Sequence, residues 1–197
     1  MIDRSAGSTI NRGQLALGGL ARDDDRVSSL TMSAELADSI VEYLRGCLPD
    51  EGVGVVATSG IGSSLTAVRF YPGRNMDRSP RRYTMDAADV MAALLNMKRE
   101  QTRLGVIVHS HPSTPPVPSR TDLVEASYPG VLSLIVGFSP VVELRAWRLV
   151  YGSHAVAVRF EEVPLIYSGT AERSPLRFMK RAGHRRGMPR DPVKGST

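Results

Sequence analysis

The spacing of apolar and polar positions divides the middle of the chain into alternating helices and strands. Between Ser33 and Leu48 the apolar residues Ala37, Ile40, Val41 and Leu44 recur at three- and four-residue steps, one face of a helix, and Cys47 continues the stripe. Strands are predicted near Val53–Thr58 and Leu65–Phe70. A Pro/Gly/Arg loop, Pro72–Arg82, leads into a second helix over Asp86–Gln101, with the stripe Val90, Met91, Leu94 and Met97. The short apolar run Gly105–Val108 reads as a buried strand, and Ser119 opens a short helix to about Ser127. Further strands are expected near Val131–Gly137, Leu144–Tyr151 and Ala155–Phe160, the last two with period-two alternation. No internal repeat interrupts this order. It predicts one α/β domain, a curved and largely antiparallel mixed sheet flanked by two long helices.

Candidate chemistry concentrates where the Gly105–Val108 strand ends, at His109-Ser-His111-Pro112, with Ser119-Arg-Thr-Asp122 following after six residues. Strand side chains alternate faces, so His109 and His111 point the same way, roughly 6.6 Å apart at the backbone. That separation lets two rings converge on a metal ~2.0–2.1 Å from each nitrogen. Four prolines among residues 112–118 exclude a helix or central strand there. Ser119 then reads as an N-cap with Asp122 in the first turn. Taken separately, His-x-His recurs by chance in strands, and Ser-x-x-Asp is a capping box. Together they place two of the chain's four histidines beside a carboxylate, the usual third partner in hydrolytic zinc sites with one open position. His154 and His184 are not spaced as ligands.

His-x-His-Pro, six residues, Ser-x-x-Asp resembles the signature of the JAMM (MPN+/JAB) metallopeptidases, and every signature position is filled. Asn75, Ser79-Pro80, Arg82-Tyr83, the Asp86–Gln101 segment, Tyr128-Pro-Gly130 and Leu144–Leu149 are similar to the prokaryotic branch, so the likeness spans about residues 30–167. It implies Zn2+ held by His109, His111 and Asp122. It also implies a catalytic glutamate before the first long strand, and Pro49-Asp-Glu51-Gly-Val-Gly54 selects Glu51. Without the resemblance, Glu51 would read as a solvated acid at a helix-to-strand turn, with Asp50 the neighbouring competitor. The family often carries cysteine where Val53 stands, a position without a catalytic role in the motif.

By this resemblance Glu51 serves as general base towards a water made acidic by zinc, and Ser119 donates to the oxyanion. The implied substrate is a ubiquitin-like or sulfur-carrier protein with a Gly-Gly tail, cut at the amide or isopeptide bond after its last glycine. The Pro72–Arg82 loop, with Arg74, Arg78, Arg81 and Arg82, is a candidate guide for that tail. Two alternatives share the fold: a catalytically silent MPN-like scaffold, and a RadC-like, DNA-linked member. The latter carries His-Asn-His-Pro-Ser-Gly, where Ser110 and Thr114 replace its Asn and Gly. A β/α-barrel hydrolase is disfavoured because such barrels typically need ~250 residues.

At 197 residues the chain suits one domain with a substantial core. The single cysteine excludes an internal disulfide. No apolar run reaches membrane-spanning length and no signal layout opens the chain, so a cytoplasmic protein is expected. Residues 168–197 hold eight basic and two acidic side chains, whereas the rest has 17 basic and 18 acidic. The high pI therefore belongs to a tail, whose composition predicts disorder or loose docking. Nucleic-acid contact, if any, is confined to that tail. Residues 1–28 read as a flexible extension and 29–167 as the domain.

Overall fold

A computed structural model describes residues 27–60, 63–125, 128, 130–151 and 157–169. The two extensions lie almost wholly outside these residues, as do His154, His184 and the starts or ends of two expected elements at 126–127 and 155–156. In chain order the elements are β1 (Ser29–Ser33), α1 (Ala34–Gly46), β2 (Val53–Ser59), β3 (Ser64–Gly73), α2 (Ala87–Arg99), β4 (Arg103–His111), α3 (Arg120–Glu125), β5 (Leu132–Gly137), β6 (Glu143–Tyr151), β7 (Ala157–Val163) and β8 (Leu165–Ser168). No helix among the described residues is long and apolar enough to cross a membrane.

The α/β order holds, and the eight strands form one mixed sheet in the order β7-β6-β5-β4-β2-β3-β1-β8. Four neighbouring pairs are antiparallel; β1–β3, β1–β8 and β4–β5 are parallel. The outer strands β7 and β8 are consecutive in the chain, separated only by Pro164. A sheet whose two edges meet across one residue must curl on itself. It curls around α1, whose Ala37, Ile40, Val41 and Leu44 share a buried cluster with residues of β1 to β7, including Leu30, Val56, Val108, Leu134 and Val163. Ser33 ends β1 and caps α1, its side chain accepting the Leu36 N–H. β1 and β8 were not foreseen, because each is only four or five residues beside a stronger signal.

The opposite face carries α2 over a smaller cluster of Val55, Ala57, Ala93 and Met97. Asp86 caps this helix by accepting the Ala88 N–H. Its stripe is rotated from expectation: Met97 and Leu94 pack inward, but Met91 is 51% exposed and Ala93 takes its place. The small alanine lets the helix sit close to the strands, which turns Met91 outward.

Candidate active site

β4 places the histidines. Ile107 packs under α2, so two residues on, His109 emerges on the same face, and His111 after it. Both are buried, and Tyr83 stacks on the His109 ring at 4.6 Å between centroids. The His111 Nδ1 lies 2.8 Å from the Pro115 carbonyl. A carbonyl only accepts, so Nδ1 carries the proton and Nε2 turns towards His109. Gly137, opposite His111 on β5, leaves room for the proline loop: a Cβ there would come within 2.8 Å of Pro116. The Trp147 indole N–H donates to the Pro116 carbonyl at 2.8 Å, pinning the loop from the other side.

That loop delivers Asp122. The Ser119 N–H donates to the Asp122 carboxylate at 2.6 Å, and the Asp122 N–H donates to the Ser119 hydroxyl at 3.2 Å. The capping box therefore forms, and it aims Asp122 at the histidines instead of competing with that role. His109 Nε2 is 3.3 Å from His111 Nε2 and 3.2 Å from Asp122 Oδ1, while His111 Nε2 is 3.6 Å from Asp122 Oδ2. A tetrahedral ion with bonds of ~2.0–2.1 Å has ligand–ligand edges of about 3.3–3.4 Å. The three groups match that spacing, and two imidazole nitrogens facing each other in a dry site are poorly satisfied without a cation between them. The donor set fits zinc. His111 also has the carbonyl partner expected to orient a metal-binding imidazole, whereas the buried His109 Nδ1 has no hydrogen-bond partner among the described residues.

Glu51 is only 6% exposed, which overturns its reading as a solvated turn acid. Three clamps hold it. Its N–H donates to the Ser79 carbonyl (2.9 Å), and its carbonyl accepts from Asn75 Nδ2 (2.9 Å). The next N–H, of Gly52, donates to the Ser110 hydroxyl (2.8 Å), while the Ser110 N–H returns a bond to the Gly52 carbonyl (3.0 Å). Gly52 is required there because a Cβ would press on Leu44 at 2.7 Å. Register does the rest: Val53 pairs with His109, so Glu51 and the two histidines sit at one end of adjacent strands. Asp50, the competitor, is only half-buried, whereas Glu51 is buried and feels the charges of His111 and Asp122.

Burial, reinforced by the Asp122 charge and opposed by His111, pushes the Glu51 carboxyl up to about 7. Burial also works against the Asp122 charge, but hydrogen bonds with His109, His111 and Ser119 hold it well below the usual carboxylate range. His111 is depressed by burial and lifted more by Asp122 and the Pro115 carbonyl, for a net rise. Two carboxyl groups close together are thus driven apart, one towards a proton exchanger and one towards a permanent anion.

A cavity of about 350 Å3 adjoins Glu51, lined by Tyr43, Cys47, Asp50, Arg74, Asn75 and Met76 among others. Cys47 is the C-cap of α1, half-buried, and its thiol donates to the Tyr43 carbonyl. In the neighbouring loop Arg74 is engaged by Asp86 and Asp89, and Arg82 approaches Asp77 at 3.8 Å. Arg78 and Arg81 are exposed and make no ion pair among the described residues. Sequence reasoning missed the clamps. Asn75 spends its amide on Glu51 and Arg82 carbonyls and its oxygen on the Asp77 and Thr84 N–H groups. Ser110 could have been found from its position between two inward histidines, which turns it to the other face; Asn75 offered no such periodic signal.

Residues 33–150 match the family described as prokaryotic homologs of the JAB domain. The CysO-cysteine peptidase of Mycobacterium tuberculosis is 33% identical over 126 residues, covering 63% of this chain and 85% of that protein. The desampylase of Haloferax volcanii is 34% identical over 113 residues, 55% of this chain and 80% of that protein. In fold, a protein of Desulfitobacterium hafniense solved in solution superposes with a TM-score of 0.63 at 23% identity, over 73% of this chain and 95% of that one. Because the family match spans more than half of the chain, the chain belongs to the JAMM/MPN family, in its prokaryotic JAB-domain branch.

Proposed function

We propose that the protein is a zinc-dependent hydrolase that cuts the amide or isopeptide bond after the C-terminal glycine of a ubiquitin-like or sulfur-carrier protein. The observation that supports it most is the convergence of His109, His111 and Asp122 within bonding range of one point, with buried Glu51 on the neighbouring strand end. The names of the two relatives, a CysO-cysteine peptidase and a desampylase, support the substrate class.

Bound zinc would supply a Lewis acid that polarises the scissile carbonyl and lowers the pKa of water to about 7. Glu51, near the same value, takes the proton of the attacking water and returns it to the leaving amine. Asp122 stays anionic throughout and offsets the charge of the cation. The Ser119 hydroxyl accepts from the helix and keeps its own proton to donate to the developing oxyanion. Glycines are expected at the scissile end because a narrow approach to the metal would leave little space for a Cβ. A carrier fused through Gly-Gly to a reporter tests the reading by mass spectrometry. Cutting after the last glycine, loss with a chelator, recovery with zinc and resistance of an Ala-Ala tail are expected; equal cutting of both tails refutes the substrate class.

A further inference from the structure

The cavity of about 350 Å3 beside Glu51 has no part in the mechanism above. We infer that it seats the leaving group, and that this group is a free amino acid or dipeptide whose carboxylate pairs with Arg78. The inference rests on the preceding reading of the site and narrows it. The bond cut is a main-chain amide to a small acid-bearing amine, in preference to an isopeptide to a lysine of a folded protein.

Place and size come first. In that mechanism Glu51 hands its proton to the departing nitrogen, so whatever that nitrogen carries lies on the Glu51 side, and Glu51 itself lines the cavity. The volume is at the lower end of the ~300–1,000 Å3 of small-molecule pockets, which suits an amino acid or dipeptide and excludes a folded partner. Tyr43, Cys47 and Met76 add an apolar, sulfur-bearing part for a small uncharged side chain. Water adds across the amide: hydroxyl to the glycine carbonyl carbon, a proton through Glu51 to the nitrogen. The C–N bond breaks and the amino acid leaves with its carboxylate still on Arg78.

Charge then selects the ligand. The Tyr43 hydroxyl donates to the Gly73 carbonyl at 2.8 Å, and the Cys47 thiol donates to the Tyr43 carbonyl. Arg74 is held by Asp86 and Asp89, and the Asn75 amide is spent on the Glu51 and Arg82 carbonyls. Asp50 and Glu51 make one wall acidic, so an anion is accepted only on the opposite, Arg78 side. Arg78 is exposed, and its side chain makes no ion pair or hydrogen bond among the described residues. The acid next to it, Asp77, accepts from the Thr84 hydroxyl and faces Arg82. Its backbone is left-handed at φ 45°, a conformation that favours glycine, so the fold itself makes no demand for arginine there. A guanidinium left over at the mouth of a small cavity matches a carboxylate in fork geometry. A lysine side-chain amine brings no such group, because four methylenes separate it from its own α-carbon.

The test gives the zinc-loaded, full-length protein three carriers with a Gly-Gly end and follows cutting by mass spectrometry. One is extended by alanine with a free carboxylate, one by alanine carboxamide, and one is joined to the Nε of a lysine in a peptide blocked at both ends. The alanine carboxylate should be cut with a kcat/KM about tenfold or more above the other two, the usual worth of hydrogen bonds to a charged group. Arg78→Gly, which suits the left-handed backbone, and Arg78→Gln, which keeps length without charge, should each collapse the carboxylate-to-carboxamide ratio to near one. Arg78→Lys should recover part of it. A purely structural role for Arg78 would lower both substrates together and leave the ratio standing. If the wild type cuts carboxylate and carboxamide equally, prefers the isopeptide, or keeps its ratio after Arg78→Gly and Arg78→Gln, this inference fails and the proposed function stands. If none of the three carriers is cut, the proposed function fails and takes this inference with it.

Discussion

The two faces of the sheet are built to different ends. The α1 face carries the larger apolar cluster, with Leu30, Ile40, Leu44, Val56, Val108 and Leu134 fully or nearly fully buried together. The α2 face has a cluster of four buried residues, and next to it the sheet carries His109, His111 and Glu51 out of water. Buried titratable groups cost stability, and here they are grouped where the apolar packing is thinnest. The stability lives on one side and the chemistry on the other, held in register by strands common to both. Perturbing each side separately should separate the two.

The largest effect is expected from removing ligands. His109→Ala/His111→Ala should abolish turnover and leave less than a stoichiometric trace of zinc by elemental analysis, because only these nitrogens and Asp122 converge among the described residues. Full zinc in that variant would overturn the ligand set. Next, Glu51→Gln should lower kcat by roughly 10²–10⁴-fold with zinc content and melting temperature kept, while Asp50→Asn stays near wild type. The reverse pattern would shift the base by one residue. On the other face, Ile40→Ala should cost about 2–5 kcal/mol in urea unfolding and leave kcat nearly unchanged below the new melting point. A kcat that falls in proportion would show the two faces to be less separate than their packing implies.

Ser119→Ala belongs to both sides at once. It should lower kcat more than it raises KM, since the oxyanion exists only after attack, and cost about 1 kcal/mol as a lost cap. Loss of stability with full activity would leave only the cap. The smallest effect is a pH slope in the metal-free protein. The carboxyl of Glu51 is raised from 4.5 to about 7 on folding, so its contribution to stability is complete below pH 4.5 and is lost as pH rises through 7. Denaturant midpoints across that range should fall more steeply for wild type than for Glu51→Gln; parallel curves would mean that Glu51 is not held in a dry site.

Much of this was readable in the sequence because it depends on local rules. Period-two alternation put both histidines on one face, and a cap signal put Asp122 at a helix start, so the three converging side chains lie within 14 positions of one another. Glu51 was reached only by family likeness. Its burial comes from Ser79 and Asn75, 24 to 28 residues away, and from Ser110, 59 away, and no local pattern encodes such pairings. Met91 misled for a related reason: helical periodicity gives a face to within one residue, and the alanine that allowed close packing decided the rotation.

Helix α3 has six residues and none of them is buried. So short a helix does not persist on its own in water. What holds it is the capping box, whose aspartate is shared with the histidines. Folding of this turn and occupancy of the ligand point are therefore thermodynamically linked, and each strengthens the other by the same factor. The amides of Asp122 and Leu123, both bonded back to Ser119, become reporters of that linkage. Their hydrogen exchange should slow as zinc is titrated in, while amides of α1 exchange unchanged. The turn would then behave as a built-in gauge of whether the protein is charged for work.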